Sequence, residues 1–141
     1  MFLNNSFGKN MNMLHRSMDV GILRHEVLAH NMSNVNTDHF KRSDITFESA
    51  LKAALDSEDP RNRFPSHRAE AVKADFAKQV IDYRTVKPKK TLDFLSVAKN
   101  NGNNVDPDVE AYRVTQNILK YQLVAQTVNS HYNQINLVLR G

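Results

Sequence analysis

The sequence contains no cysteine and no tryptophan among its 141 residues. Without cysteine the chain can form neither a disulfide framework nor a thiolate metal site, and it lacks a cysteine nucleophile. It has only four glycines, all isolated from one another, and this excludes a glycine-rich phosphate loop. We therefore expect a protein without a cofactor.

Long hydrophobic runs are also missing. The apolar runs are short, as in Leu137-Val138-Leu139. A membrane-spanning helix needs about 20 largely apolar residues, and a cleaved signal peptide needs an unbroken apolar core. We therefore expect no direct membrane insertion, and any export must use a route without a cleaved signal peptide.

The histidines, acids and serines of the sequence do not have the spacing of known catalytic or metal-binding motifs. His25 and His30 flank a glutamate as in a zinc-protease helix, but that motif needs histidines four residues apart. A spacing of five turns the second histidine about 140° round the helix. Asp106 and Asp108 are explained by capping of a helix, and no serine lies in a nucleophile-elbow context. We expect neither a metal site nor an enzyme.

Positive charge is concentrated in the middle of the chain. Residues 61–90 carry nine lysines or arginines against three acids, with aromatic residues between them. Such a run is typical of a solvated face or of a surface for an acidic partner, and no nucleic-acid reading motif accompanies it. We expect no nucleic-acid partner. A cytoplasmic helical adaptor or nucleic-acid binder that uses residues 61–90 is the rival class.

The last third of the chain, residues 105–140, predicts one long helix. Asp106 can cap its start and Pro107 suits its first turn. Apolar or small residues follow from Ala111 in alternating steps of three and four, which is the repeat of a coiled coil. They are Ala111, Val114, Ile118, Tyr121, Ala125, Val128, Tyr132, Ile135 and Leu139.

The N-terminal segment, residues 5–34, has a matching repeat. Gly21 and His25 are its weak positions, and the others are Phe7, Met11, Leu14, Met18, Leu28 and Met32. Two long helices with the same repeat at opposite ends of a short chain indicate an antiparallel pair. The predicted fold is mainly α, with both terminal helices paired as an antiparallel coiled coil.

The C-terminal helix also carries apolar residues away from this seam, and the polar faces of both helices are rich in amides rather than charges. Two apolar stripes on one helix require more than one neighbour, and amides are cheaper to bury than charges. We interpret these features as contacts with other protein, although a bundle with an ordinary amide-rich surface is the alternative. The candidate subunit-interface residues are Val109, Tyr112, Gln116, Leu119, Leu123 and Gln126.

The intervening residues 37–104 predict a small irregular segment. Residues 47–55 are typical of a short helix, and the alternation over 79–86 is compatible with a short strand. We predict one rod-like unit over 1–141, in which 1–36 and 105–141 are the paired helices and 37–104 is a variable middle.

The junction after the first helix, residues 29–42, reads Ala-His-Asn-Met-Ser-Asn-Val-Asn-Thr-Asp-His-Phe-Lys-Arg, and this run resembles the N-terminal signature of the bacterial flagellar rod and hook family. Ser33 stands where alanine is usual, and Asp38-His39 replaces proline-glycine. Either of these two residues can adopt the positive φ of that glycine at some cost. The matching residues are Ala29, Asn31, Asn34, Asn36, Thr37, Phe40 and Lys41.

A second match narrows the resemblance to the proximal rod proteins of this family. Asn103, Asn104, Val105 and Asp106 resemble the segment that opens their C-terminal helix. The run from Asn117 to Gln122 is similar to a motif in that helix. Together the two matches cover both ends of the chain, about half of its length.

The resemblance implies a structural subunit of the axial drive shaft in the flagellar basal body, at its proximal rod. The alternative within the family is another axial rod protein. The terminal helices would form an inner tube domain and the middle an outer layer. The implied partners are other proximal rod proteins, the rod–MS-ring junction protein, the MS ring, the flagellar export gate and further copies of the chain. The implied location is the basal body in the cell envelope and periplasm, reached through type III export.

Overall fold

The computed structural model describes residues 6–59, 79–96 and 100–140. Within these ranges helix α1 spans Ser6–Ser33, strand β1 Ser43–Thr46, helix α2 Glu48–Glu58 and a 3-10 helix Tyr83–Thr85. Strand β2 spans Lys89–Leu92, and helix α3 spans Pro107–Arg140. The predicted short helix is confirmed as α2, and both terminal helices lie within two residues of their predicted bounds.

Helices α1 and α3 run antiparallel against each other. Near the start of α1, the Phe7 ring lies 5.4 Å from the His131 ring. Near the end of α1, the Asn31 Nδ2 atom donates to Glu110 at 3.1 Å. Residues near the start of α1 thus contact residues near the end of α3, and residues near the end of α1 contact the start of α3. This confirms the predicted antiparallel pairing.

The start of α3 follows the predicted capping chemistry. The Asp106 side-chain oxygen Oδ1 accepts a hydrogen bond from the Asp108 amide at 3.0 Å, just before the helix begins at Pro107. The acids of the first turn, Asp108 and Glu110, lie at the positive end of the helix dipole.

The face that α3 turns toward α1 overlaps the predicted one only in part. Ile118, Tyr132 and Leu139 are 42%, 47% and 78% exposed, whereas the sequence assigned them to the seam. Asn117 is only 6% exposed and occupies the covered position instead. The physical reason is that α1 packs on the adjacent line of α3 residues, to which Asn117 belongs, about 100° round the helix from Ile118.

Strands β1 and β2 form a two-stranded sheet. The Thr46 hydroxyl donates to the Lys89 carbonyl at 3.3 Å, and the Thr91 hydroxyl donates to the Asp44 carbonyl at 3.4 Å, so the strands are antiparallel. The predicted strand over 79–86 is wrong. Local hydrogen bonds to Asp82 close a 3-10 turn at that place, and the strand lies further along the chain.

The chain divides into two compact units, one formed by Met1–Ile45 with Thr91–Gly141 and the other by Thr46–Lys90. The first contains the helix pair and also takes in residues 37–45 and 91–104, which the sequence grouped with the middle. In the second, the Ser57 hydroxyl accepts a hydrogen bond from the Ile81 amide at 2.9 Å, and Tyr83 is buried.

Residues 61–78 of the basic segment 61–90 lie outside the described residues. No helix in the described ranges has the length and hydrophobicity that crossing a membrane requires.

Candidate functional site

The end of α1, the start of β1 and the start of α3 meet at a cluster of polar side chains, here called the junction network. Asn31 lies at its centre and is fully buried. Its Nδ2 atom donates to the Ser43 carbonyl at 2.8 Å and to Glu110 at 3.1 Å, and its Oδ1 accepts from the Ser43 amide at 3.0 Å. One amide therefore connects three elements and leaves none of its own polar atoms unpaired. The network consists of Asn31, Arg42, Ser43, Asp44, Asp93, Asn103, Asn104, Glu110 and Arg113.

Glu110 is only 1% exposed, so its charge needs a close counterion. The Arg42 Nε atom supplies it at 3.0 Å, and the same guanidinium contacts Asp93 at 3.3 Å and Asp44 at 3.6 Å. Arg113 contacts Asp44 at 3.3 Å from α3. The two arginines and three acids form one ion-pair cluster that attaches the first turns of α3 to residues 42–44.

Asp93 remains ionised within this cluster. Hydrogen bonds from the Ser96 hydroxyl, and from the amides of Ser96 and Leu95, lower the pKa of Asp93 to about 2. The hydrogen bond from Arg42 acts in the same direction. The carboxylate therefore keeps its charge toward Arg42 at any pH near neutrality.

Asn103 holds the turn that follows α1. Its Nδ2 atom lies 2.9, 3.1 and 2.8 Å from the carbonyl oxygens of Asn34, Val35 and Thr37. Its Oδ1 atom accepts from the Val105 amide at 2.6 Å. A fully buried side chain thus donates to three carbonyls of the turn that follows α1. The neighbouring Asn104 accepts from the Arg42 amide at 2.7 Å and donates to the Asp93 carbonyl at 2.8 Å.

The missing glycine of the signature is replaced by His39, which adopts a φ of 58°. Its amide donates to the Asn101 carbonyl at 3.0 Å. Gly102 lies opposite with a φ of 76°, and a Cβ there would come within 2.7 Å of the His39 ring. Lys41 donates to the Gly102 carbonyl at 2.9 Å. The turn therefore accepts a side chain at residue 39 because residue 102 has none.

Three of the predicted signature residues, Asn31, Asn103 and Asn104, belong to the junction network. Asn31, Asn103, Asn104 and Val105 are buried, and Asn34, Phe40 and Lys41 are partly buried. Ala29, Asn36, Thr37 and Asp106 are exposed.

The predicted seam residues divide into three groups by burial. Three are exposed, as described above: Ile118, Tyr132 and Leu139. Three are buried: Met11, Leu28 and Val128. Eight are partly buried: Phe7, Leu14, Met18, Met32, Val114, Tyr121, Ala125 and Ile135.

The candidate interface residues all lie on the exposed side of α3. Val109, Tyr112, Leu119 and Leu123, here called the outer stripe, are 44% to 66% exposed. Gln116 and Gln126 are exposed beside them. Large apolar side chains left in water along one helix face are typical of a surface that another protein covers.

Sequence reasoning missed several residues of the site. Glu110 was not singled out, and Asn117 was noted only in the run that resembles a family motif, yet both are buried. Gly21 looked like a weak seam position, but its carbonyl accepts a hydrogen bond from Asn117 at 2.9 Å. Asn117 precedes Ile118 and lies off the predicted heptad, so the repeat gave no signal for it. Arg42 and Asp93 carried no local signal.

Comparisons with known proteins agree with the resemblance drawn from the signature. The chain is 38% identical to the flagellar basal body rod protein FlgB of Borrelia hermsii over 136 residues, which cover 96% of this chain and 99% of the relative. It is 36% identical to FlgB of Borreliella burgdorferi, with the same coverage. It is 28% identical to FlgB of Bacillus subtilis over 142 residues, with 96% of each chain covered. No protein-family model matches the chain.

Proposed function

Because the chain belongs to the FlgB family of flagellar basal body rod proteins, we propose that it is a subunit of the proximal rod that assembles through its terminal helices into a tubular drive shaft. The observation that carries the proposal is the outer stripe. Four large apolar side chains along α3 stay exposed although α1 already covers another face of the same helix. These side chains are already about half-buried, so covering the rest of each would contribute roughly half of the 1.5–3 kcal/mol that complete burial gives.

A tube built from identical or related subunits supplies such neighbours. Each subunit in a helical assembly makes heterologous contacts, in which one face meets a different face of the next subunit. The exposed end of α3, with Leu137, Val138 and Leu139 at 74% to 80% exposure, offers a second apolar surface away from the junction network. Gln116 and Gln126 would form hydrogen bonds at the edge of the contact.

The role requires mechanical stiffness and no bond chemistry. The junction network supports it, because ion pairs and buried amides fix the end of α1 to the start of α3. We propose that the protein transmits torque in this way. Its proposed neighbours are the other proximal rod proteins, the rod–MS-ring junction protein, the MS ring and the export gate. We propose export by the type III route without a cleaved signal peptide.

Changing both Leu119 and Leu123 to Asp tests the outer stripe. Both residues are exposed, so the double variant should fold and remain as soluble as the wild type. Two charges at a buried subunit contact would each lack a partner, and rod assembly and swimming should be lost. Motility on soft agar and the amount of the chain in purified basal bodies are the measurements.

The matched control adds two acids elsewhere. Ser49 and Ala53 are exposed on α2, so the double change to Asp there alters net charge equally and should leave rods intact. Normal motility and normal basal-body recovery of the Leu119→Asp, Leu123→Asp chain would refute the stripe as an interface. Absence of the wild-type chain from the envelope fraction would instead favour a cytoplasmic adaptor.

A further inference from the structure

Helix α3 offers two adjacent seams that share one central line of residues. The shared line is Val114, Tyr121, Val128 and Ile135, spaced seven apart. An apolar flank lies on one side of it and a polar flank on the other. The apolar flank is Ala111, Ile118, Ala125, Tyr132 and Leu139, and the polar flank is Glu110, Asn117, Val124 and His131.

Hydrophobic burial alone would favour the apolar flank, because the free energy gained follows the apolar area removed from water. The structure does the opposite. Glu110 and Asn117 are buried, whereas Ile118 and Tyr132 remain 42% and 47% exposed. Specific polar contacts must therefore decide which flank α1 covers.

The contact between Asn117 and Gly21 has the geometry for this decision. The Asn117 Nδ2 atom donates to the Gly21 carbonyl at 2.9 Å, and both residues are buried. Gly21 allows the approach, because a Cβ at that position would lie only 3.2 Å from Tyr121 Cδ2. A shift of register would bring a residue with a side chain to this place and leave the Asn117 amide buried without an acceptor.

We propose that Asn117 and Gly21 form a lock that determines the register and the partner of α3. This contact holds α3 against α1 of the same chain, with the polar flank of α3 facing α1. The shared line is then occupied, so two α3 helices from different chains cannot close on the complete apolar heptad seam. A single buried asparagine sets register and partner number in coiled coils by the same penalty.

The inference goes beyond the proposed rod function, because it concerns how one subunit pairs its own helices. It is tested on the purified chain without any flagellar partner. The chain has no cysteine, so one introduced thiol reports pairing without background. Ile118→Cys places that thiol on the apolar flank, where two α3 helices that pair parallel and in register bring the two thiols together and raise the disulfide yield above that of random collision.

The test variant is Asn117→Leu combined with Ile118→Cys. Removing the buried amide takes away the contact that fixes α1 on the polar flank, so the apolar seam becomes open to a second chain and the oxidised dimer should increase about ten-fold over Ile118→Cys alone at equal concentration. Non-reducing electrophoresis and light scattering measure the dimer. The control is Asn133→Leu with Ile118→Cys, which makes the same substitution at an exposed position of α3 and should leave the dimer fraction unchanged.

Gly21→Ala with Ile118→Cys weakens the contact between Gly21 and Asn117 by a change on α1, so α3 becomes no more apolar. This variant should also raise the dimer fraction several-fold. It keeps the test decisive if Asn117→Leu fails to fold. The proposal is wrong if Gly21→Ala leaves the dimer fraction at the Ile118→Cys level, or if folded Asn117→Leu dimerises no more than the Asn133→Leu control.

Discussion

Buried amides, rather than large hydrophobic side chains, fix the geometry at one end of this molecule. Asn31 and Asn103 are both fully buried, and each joins segments that are far apart in sequence. A buried amide is stable only when its donors and acceptors are all paired. Such residues therefore tolerate few changes, since even aspartate removes two donors.

The residue with the largest expected effect is Asn103. Changing Asn103 to Ala removes the donor for the carbonyls of Asn34, Val35 and Thr37 and the acceptor for the Val105 amide. The Asn34 and Thr37 carbonyls keep hydrogen bonds from the Thr37 and Phe40 amides. The main loss is therefore at the Val35 carbonyl and the Val105 amide. We expect a loss of about 1–3 kcal/mol in the free energy of unfolding, which is the cost of leaving a buried polar group without its partner. Urea unfolding followed by circular dichroism measures it.

Asn36→Ala is the control for that experiment, because Asn36 belongs to the same signature but is exposed. It should change stability by less than about 0.5 kcal/mol. Equal effects of the two substitutions would show that Asn103 does not hold the turn.

At the scale of elements, α3 has more apolar faces than one neighbour can cover. One face contacts α1, the outer stripe lies away from it, and the apolar flank of the heptad lies beside it. The buried positions of α1 likewise include Val20, Gly21 and Val27, which the simple heptad only partly predicts. The pair is therefore a thin contact set by a few specific positions, and Gly21 is the most restrictive of them.

Gly21→Ala tests this restriction through stability. Alanine should favour an isolated helix by about 1 kcal/mol over glycine. In the pair, the new Cβ would lie 3.2 Å from Tyr121 Cδ2, so the Tyr121 ring must give way by a few tenths of an ångström, which disturbs the packing beside the bond from Asn117. We expect a melting temperature at or below that of the wild type.

Ser17→Ala serves as the reference for helix propensity, because Ser17 is an exposed position of the same helix. It should raise the melting temperature slightly. A rise for Gly21→Ala larger than the rise for Ser17→Ala would contradict close packing at Gly21.

For the whole molecule, we expect the stability of the helix pair to fall from the end near the junction network toward the opposite end. The junction network stabilises the end near Asn31 and Glu110 by several buried contacts. The opposite end leaves Leu137, Val138 and Leu139 in water. Helical segments with few buried contacts open most readily.

We therefore predict that the dilute chain is less helical than the structure and becomes fully helical on assembly. Hydrogen exchange should show protected amides near the junction and fast exchange over the last turns of α3. Circular dichroism should show a gain of helix when the chain joins its partners. Full helix content in dilute solution, with protection along the whole of α3, would overturn this prediction.

The sequence by itself determined the long helices, their antiparallel pairing and the family. Repeats of three and four residues identify helices with an apolar face, and Asp106 and Pro107 mark where α3 begins. The signature asparagines were recognisable as a pattern, and several of them lie in the junction network.

Only the tertiary structure decided which face of α3 meets α1 and what the signature residues contact. Periodicity depends on the hydrophobicity of one helix at a time, so it selected Ile118 and could not detect the carbonyl that Gly21 offers to Asn117. Arg42 pairs with Asp93 and with Glu110, which lie 51 and 68 positions away from it in sequence. Local spacing carries no information about such pairs. Burial makes these polar contacts decisive, because an amide or charge removed from water must find its partner at one place in the fold.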